Sequence, residues 1–221
     1  SDYNNRVLMS LMYQPLFAVD NKKNPTPILC GRYKVSANQR NWFIYLDPSA
    51  KFSDGSKVTV EDVVASYTTA MENDYYCNRF LMHLIRVEPT EDGGIQFALD
   101  TPMDNLPLLL DVPIVKASDV ADSGLKADQQ IPMGSGPYIF VDSTGGAVLQ
   151  RNENWWCGKT KIPARDKSIE LIEVSSPADV RDAFQFGGEK SVSVVCTNPM
   201  SDSFAEYRCD YELWEIESGY M

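Results

Sequence analysis

The stretch from residue 51 to residue 73 constrains the fold more than any other part of the chain. Asp54-Gly55 is a turn signal, and Thr59 is a helix cap with Asp62 three residues on. Val60, Val63, Val64, Tyr67 and Met71 then recur at spacings of three and four, which predicts one amphipathic helix ending near Asn73. Glu61 and Asp62 fall in its first turn, where the helix dipole favours carboxylates and no acid–base role is needed. A helix with a single apolar face needs a surface to cover. Strand patterns lie on both sides of this one, so the chain reads as α/β.

Upstream, Leu8, Leu11 and Met12 share helical spacing within a segment from Asn4 to Phe17 that turns extended near Pro15. A loop from Asp20 to Pro27 follows. Tyr33–Val35 and Trp42–Leu46 read as a hairpin around Ser36–Asn41, with Trp42, Ile44 and Leu46 on one face and Phe43 and Tyr45 on the other. Downstream, Leu84–Pro89 and Ile95–Leu99 form a second hairpin around Glu91-Asp92-Gly93-Gly94. Pro107 makes any helix over Pro102–Leu110 irregular, and Ser118–Ser123 carries a turn or two. Two prolines and two glycines shape a loop over Ile131–Pro137. Strands at Tyr138–Val141 and Ala147–Arg151 come next, joined by Thr144-Gly145-Gly146. The last third reads as β-α-β, with strands at Ile169–Val174 and Ser191–Cys196 around a helix capped by Ser176.

Charge and rare residues exclude several function classes. The chain has 31 acidic against 20 basic side chains in 221 residues, a net charge of −11, and no local Lys/Arg cluster, which disfavours a nucleic-acid partner. His83 is the single histidine, so a histidine-based triad or multi-histidine metal site is not expected. Five cysteines are scattered without a C-x-x-C pair. One disulfide is possible, at least one thiol stays unpaired within the chain, and the redox compartment is left open. Asp54-Gly55 lacks the oxygen-donor succession of a calcium loop. Gly134-x-Gly136 lacks the third glycine of a dinucleotide fingerprint and the Lys-Ser/Thr of a P-loop. No catalytic residue, cofactor or metal is expected. Trp155-Trp156 has two readings: packing under a loop, or a platform for a sugar.

Four stretches together carry a likeness. They are Met12-Tyr13-Gln14-Pro15-Leu16-Phe17; Lys51-Phe52-Ser53-Asp54-Gly55 with Val58-Thr59 and the helix after it; Pro132-Met133-Gly134-Ser135-Gly136-Pro137-Tyr138; and Leu149-Gln150-Arg151-Asn152-Glu153-Asn154-Trp155-Trp156. In order and spacing the chain resembles the bacterial extracellular solute-binding proteins that include oligopeptide-, dipeptide- and nickel-binding members. Ser135 stands where that pattern usually has threonine, and Gly188-Glu189-Lys190-Ser191 lacks the aspartate usual at that step.

The resemblance implies a periplasmic-binding-protein-like lobe of the type II clamp, built as two subdomains. One would combine residues 1–48 with 135–221, and residues 49–134 would form the inserted α+β unit; the second lobe of the clamp would lie outside this chain. It implies non-catalytic capture of short peptides, or a related small solute, for uptake by a membrane ABC transporter permease. The same fold also serves as a ligand-sensing module of regulators or receptors, and as a binder of nickel chelates or oligosaccharides. The location implied is extracytoplasmic, as a cell-surface lipoprotein or in the periplasm. Arg6, Met9, Tyr75, Tyr76 and Cys77 are the ligand-side residues it nominates. Tyr13, Asp54, Gly55, Thr59, Asp62, Gly134, Gly136, Pro137, Tyr138, Trp155 and Trp156 would carry the structural motifs. No basic residue suited to a metal chelate falls between Leu106 and Val115.

Overall fold

A computed structural model describes residues 8–20, 22–72, 81–121, 133–143, 146–157 and 166–172, with Asp179 and Asp182. Its centre is a four-stranded antiparallel sheet in the order β3-β4-β6-β5, made of β3 (Cys30–Val35), β4 (Asn41–Leu46), β5 (Leu84–Pro89) and β6 (Ile95–Leu99). Both hairpins form where the alternation placed them, and the first extends further toward the N-terminus than Tyr33. In β4 the register pairs Trp42 with Phe97 and Ile44 with Ile95, so one apolar row crosses the sheet; Phe43 and Gln96 pair on the opposite face. The Ser36–Asn41 turn closes with the Asn41 N–H donating to Ser36 Oγ (3.0 Å), and Gln39 takes a positive φ of 55°.

Because β4 pairs with β6, the hairpin Cys30–Leu46 shares a sheet with Leu84–Leu99. Residue 48, the expected subdomain boundary, therefore falls between two parts of one sheet.

The helical segment α1 (8–12) precedes this unit, and α2 (Val60–Glu72) covers the apolar face of the sheet, lying against β5 and β6. Tyr67 stands edge-on to Phe97, with ring centroids 4.9 Å apart, and both are fully buried. Each such ring contributes about 2–3 kcal/mol of burial free energy. The buried face of α2 is not purely apolar: Asp62 and Ser66 lie inside it, whereas Val60, Val64 and Met71 are half-buried. The reason is a polar strap. The Ala117 N–H donates to Asp62 Oδ1 (2.7 Å) and the Val115 N–H to Ser66 Oγ (3.0 Å), so the two side chains satisfy the backbone of the incoming segment. That segment continues as α3 (Ala117–Ala121). Leu106–Leu109 forms only a 3-10 turn, with Pro107 in its first turn, where the missing N–H gives up no intrahelical bond.

One departure from the sequence reading is local. The stretch up to Pro27, expected as loop throughout, supplies a strand: β2 (Pro25–Pro27) pairs with β1 (Phe17–Val19). Its prolines are tolerated because β2 is an exposed edge. Beyond residue 133 a further antiparallel sheet, three-stranded, runs β7-β8-β9, from β7 (Tyr138–Ser143), β8 (Gly146–Arg151) and β9 (Ser168–Glu170). Most of the expected β-α-β in the last third lies outside the described residues. No helix among them is long and apolar enough to cross a membrane.

Candidate functional site

The described parts of the four motifs meet around one short run, 133–137. The Gly136 N–H donates to the Met12 carbonyl (2.7 Å), and the Ser53 N–H donates to the Gly134 carbonyl (2.9 Å). Both glycines are required by closeness: a Cβ on Gly134 would collide with the Met12 carbonyl oxygen, and one on Gly136 would lie 2.5 Å from the Leu11 oxygen. The loop after β8 closes over the same run, with the Asn152 N–H donating to the Pro137 carbonyl (2.7 Å). Both indoles turn inward. Trp155 Nε1 and Trp156 Nε1 each donate to the Ser135 carbonyl at 3.2 Å, and Trp156 Nε1 also donates to Gln14 Oε1 at 2.9 Å. An indole whose N–H is bound inside presents only part of its ring to solvent, and both rings are half-buried.

Electrostatics tie the other side of the run. The Met133 N–H donates to Asp119 Oδ2 (2.7 Å). Tyr13, buried beside it, has its phenol pushed up to about 12, first by burial and then by the Asp119 charge. Asp54 of the Asp-Gly turn pairs with Lys116 Nζ at 2.6 Å. That bond, with help from the Ser56 hydroxyl, holds the Asp54 carboxyl down at about 2. Gly55 takes a φ of +86° in the same turn. Thr59 and Asp62 close a reciprocal cap, Asp62 Oδ2 accepting from the Thr59 N–H (2.8 Å) and from its hydroxyl (2.9 Å). Tyr138 donates its hydroxyl to the Asp166 carbonyl (3.1 Å).

Of the ligand-side candidates, Met9 is described. It is half-buried on α1, and its carbonyl accepts from the Tyr13 N–H (2.8 Å). Arg6, Tyr75, Tyr76 and Cys77 lie outside the described residues. Cys30 and Cys157 are both buried, and burial pushes the Cys30 thiol up to about 11, which makes it a poor nucleophile. The sequence reading passed over Gln14 and Asn152. The signal for Gln14 was a lone amide inside the apolar run Met12–Phe17; Asn152 had no comparable mark.

A model of the bacterial extracellular solute-binding proteins, family 5, matches residues 24–201, most of the chain. The chain belongs to that family. Among curated relatives, the glutathione-binding protein GsiB of Pectobacterium atrosepticum is 26% identical over 161 residues, covering 70% of this chain and 31% of that protein. Heme-binding protein A of Haemophilus influenzae is 27% identical over 175 residues, covering 65% and 32%. Matches of this kind span only 21–32% of the relatives' length. Among solved structures, the oligopeptide-binding protein AppA of Bacillus subtilis, in complex with a nonapeptide, matches with a TM-score of 0.60 at 24% identity, covering 71% of this chain and 33% of that one. NikA of Brucella suis, in complex with Fe(III)-EDTA, matches with a TM-score of 0.64 at 18% identity, covering 81% and 37%. These likenesses show the fold: the mixed α/β architecture of type II periplasmic binding proteins.

Proposed function

We propose that this chain is the first lobe of a two-lobed clamp that captures short peptides outside the cytoplasm and hands them to a membrane ABC permease, with no bond chemistry. The observation that carries the reading is the family match across residues 24–201. Relatives named for glutathione and for peptide transport support a peptide-like solute over other cargo. Arg6, Met9, Tyr75, Tyr76 and Cys77 form this lobe's share of the ligand wall, with Arg6 placed to pair with a peptide carboxylate. A place at the cell surface as a lipoprotein, or in the periplasm, and closure about hinge strands complete the proposal. So does the division into two subdomains, with the first hairpin, by its sheet pairing, on the side of the inserted unit.

The test is capture. A protein carrying this lobe and its second lobe is incubated with a mixed di- to pentapeptide library, washed, denatured, and its retained ligands are read by mass spectrometry. Enrichment of a peptide class supports the proposal. Retention of a metal chelate or an oligosaccharide from a parallel mixture, with no peptide, overturns the choice of cargo. Peptide cleavage at a protein-dependent rate overturns the non-catalytic assignment.

A further inference from the structure

The Gln14 side chain closes a loop of contacts through the junction. The Met12 carbonyl accepts from Gly136 N–H (2.7 Å). Gly136 is bonded to Ser135, whose carbonyl accepts from Trp156 Nε1 (3.2 Å). The same indole N–H reaches Gln14 Oε1 (2.9 Å), and Gln14 is two residues from Met12. The ring is therefore closed: Met12, Gly136, Ser135, Trp156, Gln14 and back along the chain. Gln14 is only 7% exposed, and its own carbonyl accepts from the Ile114 N–H (3.1 Å), which leads out of the four-stranded sheet unit. Its amide oxygen is the only side-chain acceptor in the ring; every other acceptor is a backbone carbonyl.

The ring lies at the exit of α1. Tyr13 N–H still bonds back to Met9, and the next two residues are already held by other segments. We infer that Gln14 is a positioning residue: by accepting the Trp156 indole proton it fixes where α1, and with it Met9, stands against the rest of the lobe. This rests on the reading of Met9 as a ligand-side residue in so far as it concerns binding; the ring itself does not. Trp156 is then a donor shared between two acceptors, and the nearer one is the side chain. A buried indole N–H that loses this acceptor keeps only the longer bond to Ser135, and the exit of α1 loses its tie to the loop after β8.

Two variants in the two-lobed protein test this. Gln14→Leu keeps bulk and removes the acceptor; Trp156→Phe removes the donor. The first readout is amide hydrogen exchange at residues 8–12 against exchange in β4 and β6. Loss of protection by about tenfold at 8–12 in Gln14→Leu and Trp156→Phe, with the sheet unchanged, supports the inference; that factor is about 1.4 kcal/mol. The double variant Gln14→Leu/Trp156→Phe should lose no more than Trp156→Phe alone, since that substitution already opens the ring. Uniform loss of protection in α1 and the sheet together would overturn it, because Gln14 would then be an ordinary contributor to global stability. The second readout is affinity for the peptide library, expected to fall about tenfold in the same two variants. If exchange changes as stated and wild-type affinity is measurable but unchanged in the variants, the link from Gln14 to binding is overturned. If wild type retains no peptide, the cargo reading fails, and exchange alone decides the role of Gln14.

Discussion

The four-stranded sheet and the junction at residues 133–137 hold the same lobe together by different means. The sheet is an apolar object: Trp42, Ile44, Ile95 and Phe97 lie in register on one face, and Tyr67 of α2 closes over them. Its energy is spread over many side chains, so losing one costs what that side chain buries. The junction is a backbone object. Its glycines admit carbonyls from residues 11 and 12, and its backbone N–H and carbonyl groups are met by Met12, Ser53, Asp119, Asn152 and the two indoles. There the tolerance for an extra atom is small, and what matters is whether each donor keeps its acceptor. In such a lobe the sheet supplies most of the stability, and the junction sets where α1 stands against the rest.

The largest effect expected is at the centre of the sheet. Phe97→Ala removes a fully buried ring from its contact with Tyr67 and should cost about 3–5 kcal/mol in urea unfolding. A loss near 1 kcal/mol would mean that the apolar row does not anchor the unit. A pair of glycine substitutions sharpens the contrast. Gly134→Ala forces a methyl against the Met12 carbonyl and should cost about 3 kcal/mol. Gly55→Ala meets open space and strains only a φ of +86°, so it should cost about 1 kcal/mol. Equal losses at the two positions would erase the distinction between close approach and turn geometry.

How far the fold was legible follows the same division. The hairpins and α2 declared themselves because alternation and 3.6-residue spacing are written in the side chains that the sheet buries, as with Trp42, Ile44 and Val63. Asp62 was legible as a cap but not as the acceptor for Ala117, since its partner is 55 residues away. Pro25–Pro27 read as loop because proline suppresses strand patterns, although an exposed edge accepts it. In the junction, Gly134 and Gly136 were legible as a tight place. What they touch was not, because contact with residues 11 and 12 leaves no periodic trace. The pairing of the first hairpin with β6 was hidden for the same reason: hairpin patterns fix neighbours within a hairpin, not between two of them.

Smaller effects test the polar ties. Lys116→Met removes the partner of Asp54; both side chains are about a third exposed, so solvent screening limits the cost at neutral pH to about 1 kcal/mol. The sign with pH is fixed by the lowered carboxyl. An aspartate held near 2 against an ordinary 3.8 stabilises the fold above pH 3.8 and loses that contribution as the pH falls toward 2. Lys116→Met should therefore flatten the acid limb of a stability–pH curve over that interval, and an unchanged limb would exclude the pair as its source. The smallest effect is at Ser135, whose buried hydroxyl has no hydrogen-bond partner among the described residues. Ser135→Ala should be neutral, or stabilising by up to about 1 kcal/mol in thermal unfolding. A loss of that size would point to an ordered water on the hydroxyl.

In the proposed function this lobe supplies one wall of a peptide clamp. Calorimetric titration of a mixed di- to pentapeptide library into this chain alone, and into a protein carrying both lobes, tests it most directly. A clamp gains affinity by desolvating its ligand on two sides; losing one wall at a cost of about 4 kcal/mol lowers affinity about a thousandfold. The predicted result is micromolar or tighter binding by the two-lobed protein and no detectable heat from this chain. Equal affinities would contradict the clamp and place the whole site within these 221 residues.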